Sequence, residues 1–324
     1  MDTTPETAAD AGPLVPPVLG RWRRGRLIAA AALICALVMA LNSWIPNVFG
    51  NAGSLFQTLL PWTGLSAVAL LALAGIRRSP LAAVATLAPV LVWCSLFAGT
   101  LTDKRSPGGD LTVVSHNVSE GNSDPGRTAR ALAASGADVL ALEELPSEHR
   151  APYERELDPV YPYSAELGGI GLWSKRPLKG VEPVDIMPWT RAVRATVVTA
   201  KGPVALYAAH LASVRVVLDS GFTTANRNEA ARKLAEAVRA EPLPRVVVAG
   251  DLNGSVDDSA LEPLTGQLRS AQAEAGAGFG FTWPAAFPTV RIDNILVRGV
   301  TPVSSWTLPA TGSDHLPVAA SLRL

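Results

Sequence analysis

Residues 245–254, RVVVAGDLNG, read as a strand that ends on reactive side chains. Arg245–Ala249 is an apolar run of strand length, and it passes directly into Gly250-Asp251-Leu252-Asn253. The same arrangement recurs through the second part of the chain. The strand candidate Leu111–His116 leads into Asn117, Val139–Glu143 into Glu144, and Val204–His210 ends on His210. Ile292–Val297 carries Asp293 and Asn294 just after its start, and Ser313-Asp314-His315 stands before a last candidate at Ala319–Leu324. Gly171–Ser174 and Ala195–Thr199 complete the set. Helices are expected at Arg127–Ala134 and at Asn226–Ala240, where Ala230, Leu234, Ala237 and Val238 recur at helical spacing. Strands outnumber helices and several are separated by turns alone, which favours an α+β or layered sandwich over a βαβ repeat.

Strand ends on one rim of a sheet converge in space. Carboxylates gathered there with Asn and His suit a hard divalent cation and a phosphate. Magnesium takes oxygen ligands and keeps waters, so one or two carboxylates suffice. Histidines beside it can donate to phosphate oxygens or to a leaving group. Singly, each piece has a plainer reading: Asp251–Asn253 as a helix cap or turn, Asp314-His315 as a surface hydrogen bond, Glu143-Glu144 as a solvated corner.

The first hundred residues are of another kind. No charge occurs from Leu27 to Ile76 or from Ser79 to Thr102. Three apolar runs, Leu27–Ile45, Leu55–Ile76 and Leu81–Leu101, are each near the roughly 20 residues needed to cross a bilayer. Arg21, Arg23, Arg24 and Arg26 precede the first, Arg77 and Arg78 separate the second from the third, and the loop 46–54 is uncharged. Basic residues mark the cytoplasmic side, so the tail is expected inside and everything after Leu101 outside. A cleaved signal sequence would share the Arg-rich start, but two more apolar runs follow and Ala40–Trp44 is a poor cleavage site. The expected layout is a disordered cytoplasmic tail with a basic stop (1–26), a three-span anchor (27–101), a linker (102–110) and an extracytoplasmic catalytic domain (111–324). The only cysteines, Cys35 and Cys94, lie inside the apolar runs, which excludes a Cys-based zinc site or disulfide framework beyond them. Residues 101–324 hold 22 basic against 25 acidic residues, without the basic excess of a nucleic-acid-binding domain.

The ordered motifs SHNV (115–118), ADVLALEEL (137–145), GIGLWSKRPL (169–178), AAHL (208–211), VAGDLNG (248–254), TW (282–283) before RIDNILV (291–297), and SDHLPV (313–318) resemble the endonuclease/exonuclease/phosphatase superfamily. That group includes deoxyribonuclease I, abasic-site endonucleases, neutral sphingomyelinases and inositol-polyphosphate 5-phosphatases. The resemblance covers essentially all of residues 110–324. It implies an α/β (α+β) four-layer sandwich of two packed sheets flanked by helices, here preceded by three transmembrane helices. It also implies a magnesium-dependent phosphoric ester or anhydride hydrolase, with manganese the alternative ion. By the same match Glu144 is the principal metal ligand and Asn117 helps place metal or phosphate. Asp251 orients or deprotonates the attacking water, and Asn253 holds it and the phosphate. His210 and His315 bind phosphate oxygens, Asp293 orients a catalytic histidine, and Asp314 assists the metal or pairs with a histidine.

Two departures bear on specificity. Glu143 stands where the family usually has Gln, either adding charge near the metal or pointing away, as alternate strand residues do. The segment after His210 is apolar (Val214, Val216, Val217, Leu218, Phe222) rather than basic. With the anchor and the weakly acidic domain, this favours a lipid-linked phosphate or pyrophosphate over nucleic acid. A membrane-tethered extracellular nuclease and a non-catalytic membrane sensor or scaffold are the alternatives. The layout also resembles VanJ-type membrane proteins linked to teicoplanin resistance, which implies an undecaprenyl-linked cell-wall precursor as substrate.

Overall fold

The computed structural model describes residues 24–48, 50–217 and 219–324; the expected tail, with Arg21 and Arg23, lies outside them, as do Phe49 and Leu218. The described residues form two units, one of 24–41 with Pro61–Leu96, the other of Asn42–Leu60 with Phe97–Leu324.

The apolar part folds as α1 (Arg26–Ala40), α2 (Ala52–Thr58), α3 (Gly64–Ile76) and α4 (Pro80–Leu101). Among the described residues α4 alone is, by itself, long and apolar enough to cross a bilayer, and α1 has 15 residues. The expected second span is broken. Pro61, which lacks an N–H for the helical ladder, sits in a 3₁₀ turn over Leu60–Thr63. The stretches on either side reach spanning length only if counted as one interrupted span. Within the first unit small residues turn inward (Ala29, Ala32, Ala36, Ala67, Ala74) while Leu33, Ile34, Leu37, Val68 and Leu71 are exposed. Close helix contact through small residues, with large apolar ones outward, is how helices associate in lipid.

The second unit is built on strands β1 (Leu111–Asn117), β2 (Val139–Glu143), β3 (Tyr163–Leu167), β4 (Ile170–Ser174), β5 (Leu178–Pro183), β6 (Ala192–Thr199) and β7 (Gly202–His210). They are followed by β8 (Val216–Val217), β9 (Gly221–Phe222), β10 (Val246–Asp251), β11 (Arg269–Ser270), β12 (Asp293–Arg298), β13 (Thr301–Thr307) and β14 (Val318–Arg323). Two six-stranded sheets result, ordered β13-β14-β1-β2-β4-β3 and β11-β12-β10-β7-β6-β5. Each contains one parallel pair, β1 with β2 and β7 with β10, and a parallel pair requires a crossover. Helix α5 (Pro125–Ala133) supplies the first, started by Asp124 accepting from the Arg127 amide and by Pro125 in its first turn. After α6 (Arg150–Leu157), helix α7 (Ala225–Ala240) supplies the second.

Val113, Ala141 and Leu172 of the first sheet meet Val197, Leu206, Val247 and Ile295 of the second in an inner core. Leu234 and Val238 of α7 cover Tyr207, Val246 and Val248, and Leu132, Tyr153 and Leu157 cover Val114, Leu140 and Trp173. The layers run helix, sheet, sheet, helix, the sandwich expected from the sequence. The apolar segment after His210 is a small hairpin, β8 with β9, whose Phe222 is buried while Val216 and Val217 are exposed.

Candidate active site

The topology explains why the polar strand ends meet. In each sheet the two parallel strands finish side by side, Asn117 opposite Glu143 and His210 opposite Asp251. Strand β12 runs the other way, so its first residue, Asp293, pairs with Asp251 at the same rim. Gly250 is what lets β10 lie against β7 here, because a Cβ at that position would collide with the Ala209 carbonyl. The loop before β14 is stitched to the rim by Ser313, whose Oγ donates to the Asn117 carbonyl at 2.6 Å and accepts from the His315 amide at 3.0 Å.

Asp251 is buried at the centre. Asn117 Nδ2 donates to its Oδ2 at 3.1 Å, and Asn253 donates through its backbone N to Oδ1 at 2.8 Å and through Nδ2 to Oδ2 at 3.1 Å. Asn253 Nδ2 also lies 3.0 Å from the Leu211 carbonyl. His210 Nε2 lies 3.6 Å from Asp251 Oδ2 and 3.5 Å from Glu144 Oε1. His315 Nδ1 is held by both oxygens of Asp293 at 3.1 and 3.0 Å, leaving Nε2 directed 3.9 Å from Asp251 Oδ2. The amides of Ile292 and Asp293 lie 3.2 and 3.3 Å from Thr282 Oγ1, which fixes the start of β12. The structure thus brings Asn117, Glu144, His210, Asp251, Asn253, Asp293 and His315 together. Asp314 is placed differently: its side chain is exposed on the rim, with Oδ2 at 3.3 Å from the Trp283 indole nitrogen.

Charge is strained within this group. Burial, then the neighbouring Asp293, pushes the Asp251 carboxyl up to about 7. Glu143 turns into the layer between the sheets, where Ser115 Oγ donates to its Oε1 at 3.1 Å and Oε2 has no partner among the described residues. Burial and the carboxylates of Asp293, Asp251 and Glu144 raise it well above the usual range. For His315 burial opposes the charge, but the Asp293 hydrogen bond and the charges of Asp293, Asp251 and Asp314 prevail and raise it to about 9. His210 moves oppositely: burial, Arg191 and His315 hold it well below its ordinary value.

Arg191 escaped the sequence reading. Its Nη1 lies 2.6 Å from Nδ1 and 3.1 Å from Nε2 of His210, and a guanidinium can only donate, so His210 is its neutral acceptor. The cluster opens on a cavity of about 390 Å³ lined by Glu144, Arg150, Trp189, Arg191 and His210, with Gly168–Ile170. The available signal was the tripeptide Trp189-Thr190-Arg191, just ahead of a strand placed three residues late.

The donor set fits a divalent cation. Glu144 and Asn117 offer hard oxygen donors, and Glu144 lines the cavity. The trio Asp251, Asp293 and His315 also presents ligand atoms within 4.8 Å of one another, but with Nδ1 committed to Asp293 it reads as an oriented histidine.

A family model described as the Endonuclease/Exonuclease/phosphatase family matches residues 114–315, and the chain belongs to that family. Its members are metal-dependent phosphoester hydrolases, nucleases among them. Among solved structures, the endonuclease/exonuclease/phosphatase from Bacteroides vulgatus superposes with a TM-score of 0.57 at 18% identity, over 67% of this chain and 100% of that one. A humanised D. rerio TDP2 carrying 14 mutations gives 0.55 at 20%, over 66% and 99%. A Staphylococcus aureus beta toxin gives 0.51 at 17%, over 65% and 99%. At such identities the likeness is one of fold. No curated protein sequence matches the chain.

Proposed function

We propose that this protein is a magnesium-dependent phosphoesterase that hydrolyses a lipid-linked phosphate or pyrophosphate at the outer face of the cytoplasmic membrane. The observation that carries the reading is the first unit: helices with alanines inside and leucines outside, in one chain with the rim cluster around Asp251. Three further features support it. The catalytic unit has a slight acidic excess, whereas a protein that lives on nucleic-acid phosphates relies on basic surface. The β8–β9 hairpin, which follows His210 in the chain, presents Val216 and Val217 to solvent. Arg191 and Arg150 line a cavity large enough for more than one phosphoryl group. With the resemblance in layout to VanJ-type proteins, the substrate proposed is an undecaprenyl-linked cell-wall precursor.

Glu144 and Asn117 would hold the ion, which when bound supplies electrostatic stabilisation to the phosphoryl oxygens. Asp251, kept in one orientation by Asn117 and Asn253, aligns the attacking water and takes its proton. His315, held protonated by Asp293, donates toward developing charge on the phosphoryl group. Arg191 and neutral His210 share the other side. A phosphate oxygen placed there gives the guanidinium an anionic acceptor in place of an imidazole nitrogen.

The test uses full-length protein in detergent, measuring phosphate release from undecaprenyl pyrophosphate beside cleavage of DNA. Release that requires magnesium, stops with chelator, and falls about 10²- to 10⁴-fold in Asp251→Ala and His315→Ala supports the proposal. DNA cleavage with those dependences and no lipid turnover makes the protein a tethered nuclease. Absence of both activities leaves a membrane sensor or scaffold.

A further inference from the structure

Residues 42–60, between the first two apolar runs, carry side chains that an apolar connection has no use for. Ser54 and Gln57 are completely buried, and the loop that follows Asn253 is what buries them. Ser54 Oγ accepts from Asn47 Nδ2 at 3.1 Å and donates to Asp258 Oδ1 at 2.9 Å. Gln57 Oε1 accepts from the amide and hydroxyl of Ser259 at 2.9 and 3.1 Å. Beside them, Asn51 Nδ2 donates to the Phe222 carbonyl at 2.6 Å, and the Phe222 amide donates to the Gly50 carbonyl at 2.8 Å. Helix α2 is thus seated on the catalytic unit from two sides.

Asp258 passes the contact inward. Its second oxygen accepts from Arg227 Nη2 at 2.6 Å, and both side chains of this pair are fully buried. Arg227 Nη1 reaches the Asn253 carbonyl at 3.4 Å. The guanidinium lies directly under the loop, since a Cβ on Gly254 would collide with it. Asn253 adopts φ 47°, a left-handed conformation that surrounding structure must enforce, and it is Asn253 that grips Asp251. The contacts run without a gap from Ser54 through Asp258, Arg227 and Asn253 to Asp251. A buried ion pair holds its geometry only when its remaining hydrogen-bonding capacity is met; at Asp258 Oδ1 the Ala260 amide donates at 3.0 Å and Ser54 Oγ supplies the second donor at 2.9 Å.

We infer that Ser54 and Gln57 are positioning residues for phosphoester hydrolysis: docked on residues 255–261, the segment between the first two apolar runs holds Asn253, and through it Asp251, by way of Asp258 and Arg227. This rests on Asp251 and Asn253 belonging to the reacting centre and not on the identity of the substrate. The catalytic unit then begins at Asn42 rather than after the linker.

The experiment compares full-length wild type with Ser54→Ala, Gln57→Ala, Asp251→Asn and the Ser54→Ala/Asp251→Asn double variant. The readouts are hydrolysis of bis(4-nitrophenyl) phosphate with magnesium and amide hydrogen exchange of peptides covering 252–261. Ser54→Ala and Gln57→Ala are expected to lower kcat roughly 10- to 100-fold with KM nearly unchanged, and to speed exchange in that loop while β7 and β10 stay protected. In the Asp251→Asn background the Ser54 substitution should cost little more, because both act on one contact chain. Unchanged exchange at 252–261, or rate losses that multiply in the double variant, would overturn the inference. Where the diester is not turned over, phosphate release from undecaprenyl pyrophosphate supplies the rate; a wild type active on neither would sink the enzymatic reading instead, and the exchange result would still decide whether α2 orders the loop.

Discussion

Two residues of the site, Glu144 and Asn253, have φ of 54° and 47°, where non-glycine residues cost on the order of 1–3 kcal/mol and persist only when over-determined. For Asn253 the determinants are visible: three hydrogen bonds from its own amide groups and Arg227 on its carbonyl. For His315 the determinant is Asp293. Burial disfavours the imidazolium, and the paired carboxylate more than offsets this, raising the group to about 9. A raised folded-state value means that the protonated form persists below about 9 and is lost as pH rises through it, so activity that depends on it should fall along that alkaline limb. Asp293→Asn removes the charge while keeping the shape. Its pH–rate profile should show the limb displaced to lower pH, with kcat reduced about 10²- to 10⁴-fold at neutral pH. A reduced rate with the limb in place would mean that Asp293 serves only the packing of β12.

Among the elements, the junction of α7 with β6 and β7 shows how an outer helix of the sandwich is tied to the sheet. Glu241, just past the end of α7, accepts from Arg194 Nε and Nη2 at 3.0 and 3.1 Å, from Tyr207 Oη at 2.8 Å and from the Leu243 amide at 3.0 Å. Burial pushes its carboxyl up, but the hydrogen bonds from Arg194, Leu243 and Tyr207 outweigh this and hold it below its ordinary value. For a depressed carboxylate the stabilisation is present above the unfolded-state value, about 4.3, and fades as pH falls through the folded one. Glu241→Gln should therefore destabilise the domain by about 1.5–3 kcal/mol at pH 7. The gap to wild type should narrow as pH falls below about 4, as read from thermal unfolding of both proteins at each pH. An equal gap at both pH values would remove the ionic contribution.

The elements also show what sequence could and could not reveal. Strands β1, β2, β7 and β10 were legible because each is a buried apolar run ending in a polar residue at the rim, and β12 because it is such a run beginning on Asp293 and Asn294. The edge strands β3, β5 and β13 were not. Tyr163-Ser164 and Lys179-Gly180 are exposed, and Thr301, Ser304 and Ser305 interrupt the apolar pattern of β13. Starting β6 at Ala195 instead of Ala192 hid Arg191. The expected second span counted Gln57 with the bilayer and left Ser54 in the loop before it, because hydropathy averages over a window and cannot register that these buried polar side chains have partners two hundred residues away. Asp314 lies in the right motif, but its exposed side chain accepts from the Trp283 indole nitrogen at 3.3 Å, a pairing the motif does not reveal.

At the scale of the whole molecule, the docking of α2 constrains topology more tightly than charge does. Ser54 and Asp258 share a hydrogen bond, so the segment 42–60 and the catalytic domain occupy the same side of any membrane. Between them the chain runs through α3, Arg77 and Arg78, and α4. The number of crossings on that path must be even. On the proposed reading α4, which is long and apolar enough, crosses the membrane; α3 would then cross as well, despite its 13 helical residues, with Arg77 and Arg78 on the opposite face. The basic-residue rule makes that face the cytoplasm, which on the proposed reading puts the active site outside. In a chain whose Cys35 and Cys94 are replaced by alanine, Glu229→Cys on the exposed face of α7 should react with a membrane-impermeant maleimide in intact cells. Arg77→Cys should react only after permeabilisation. The reverse pattern would invert the protein, and labelling of both from one side would mean that α3 and α4 do not form a pair of crossings.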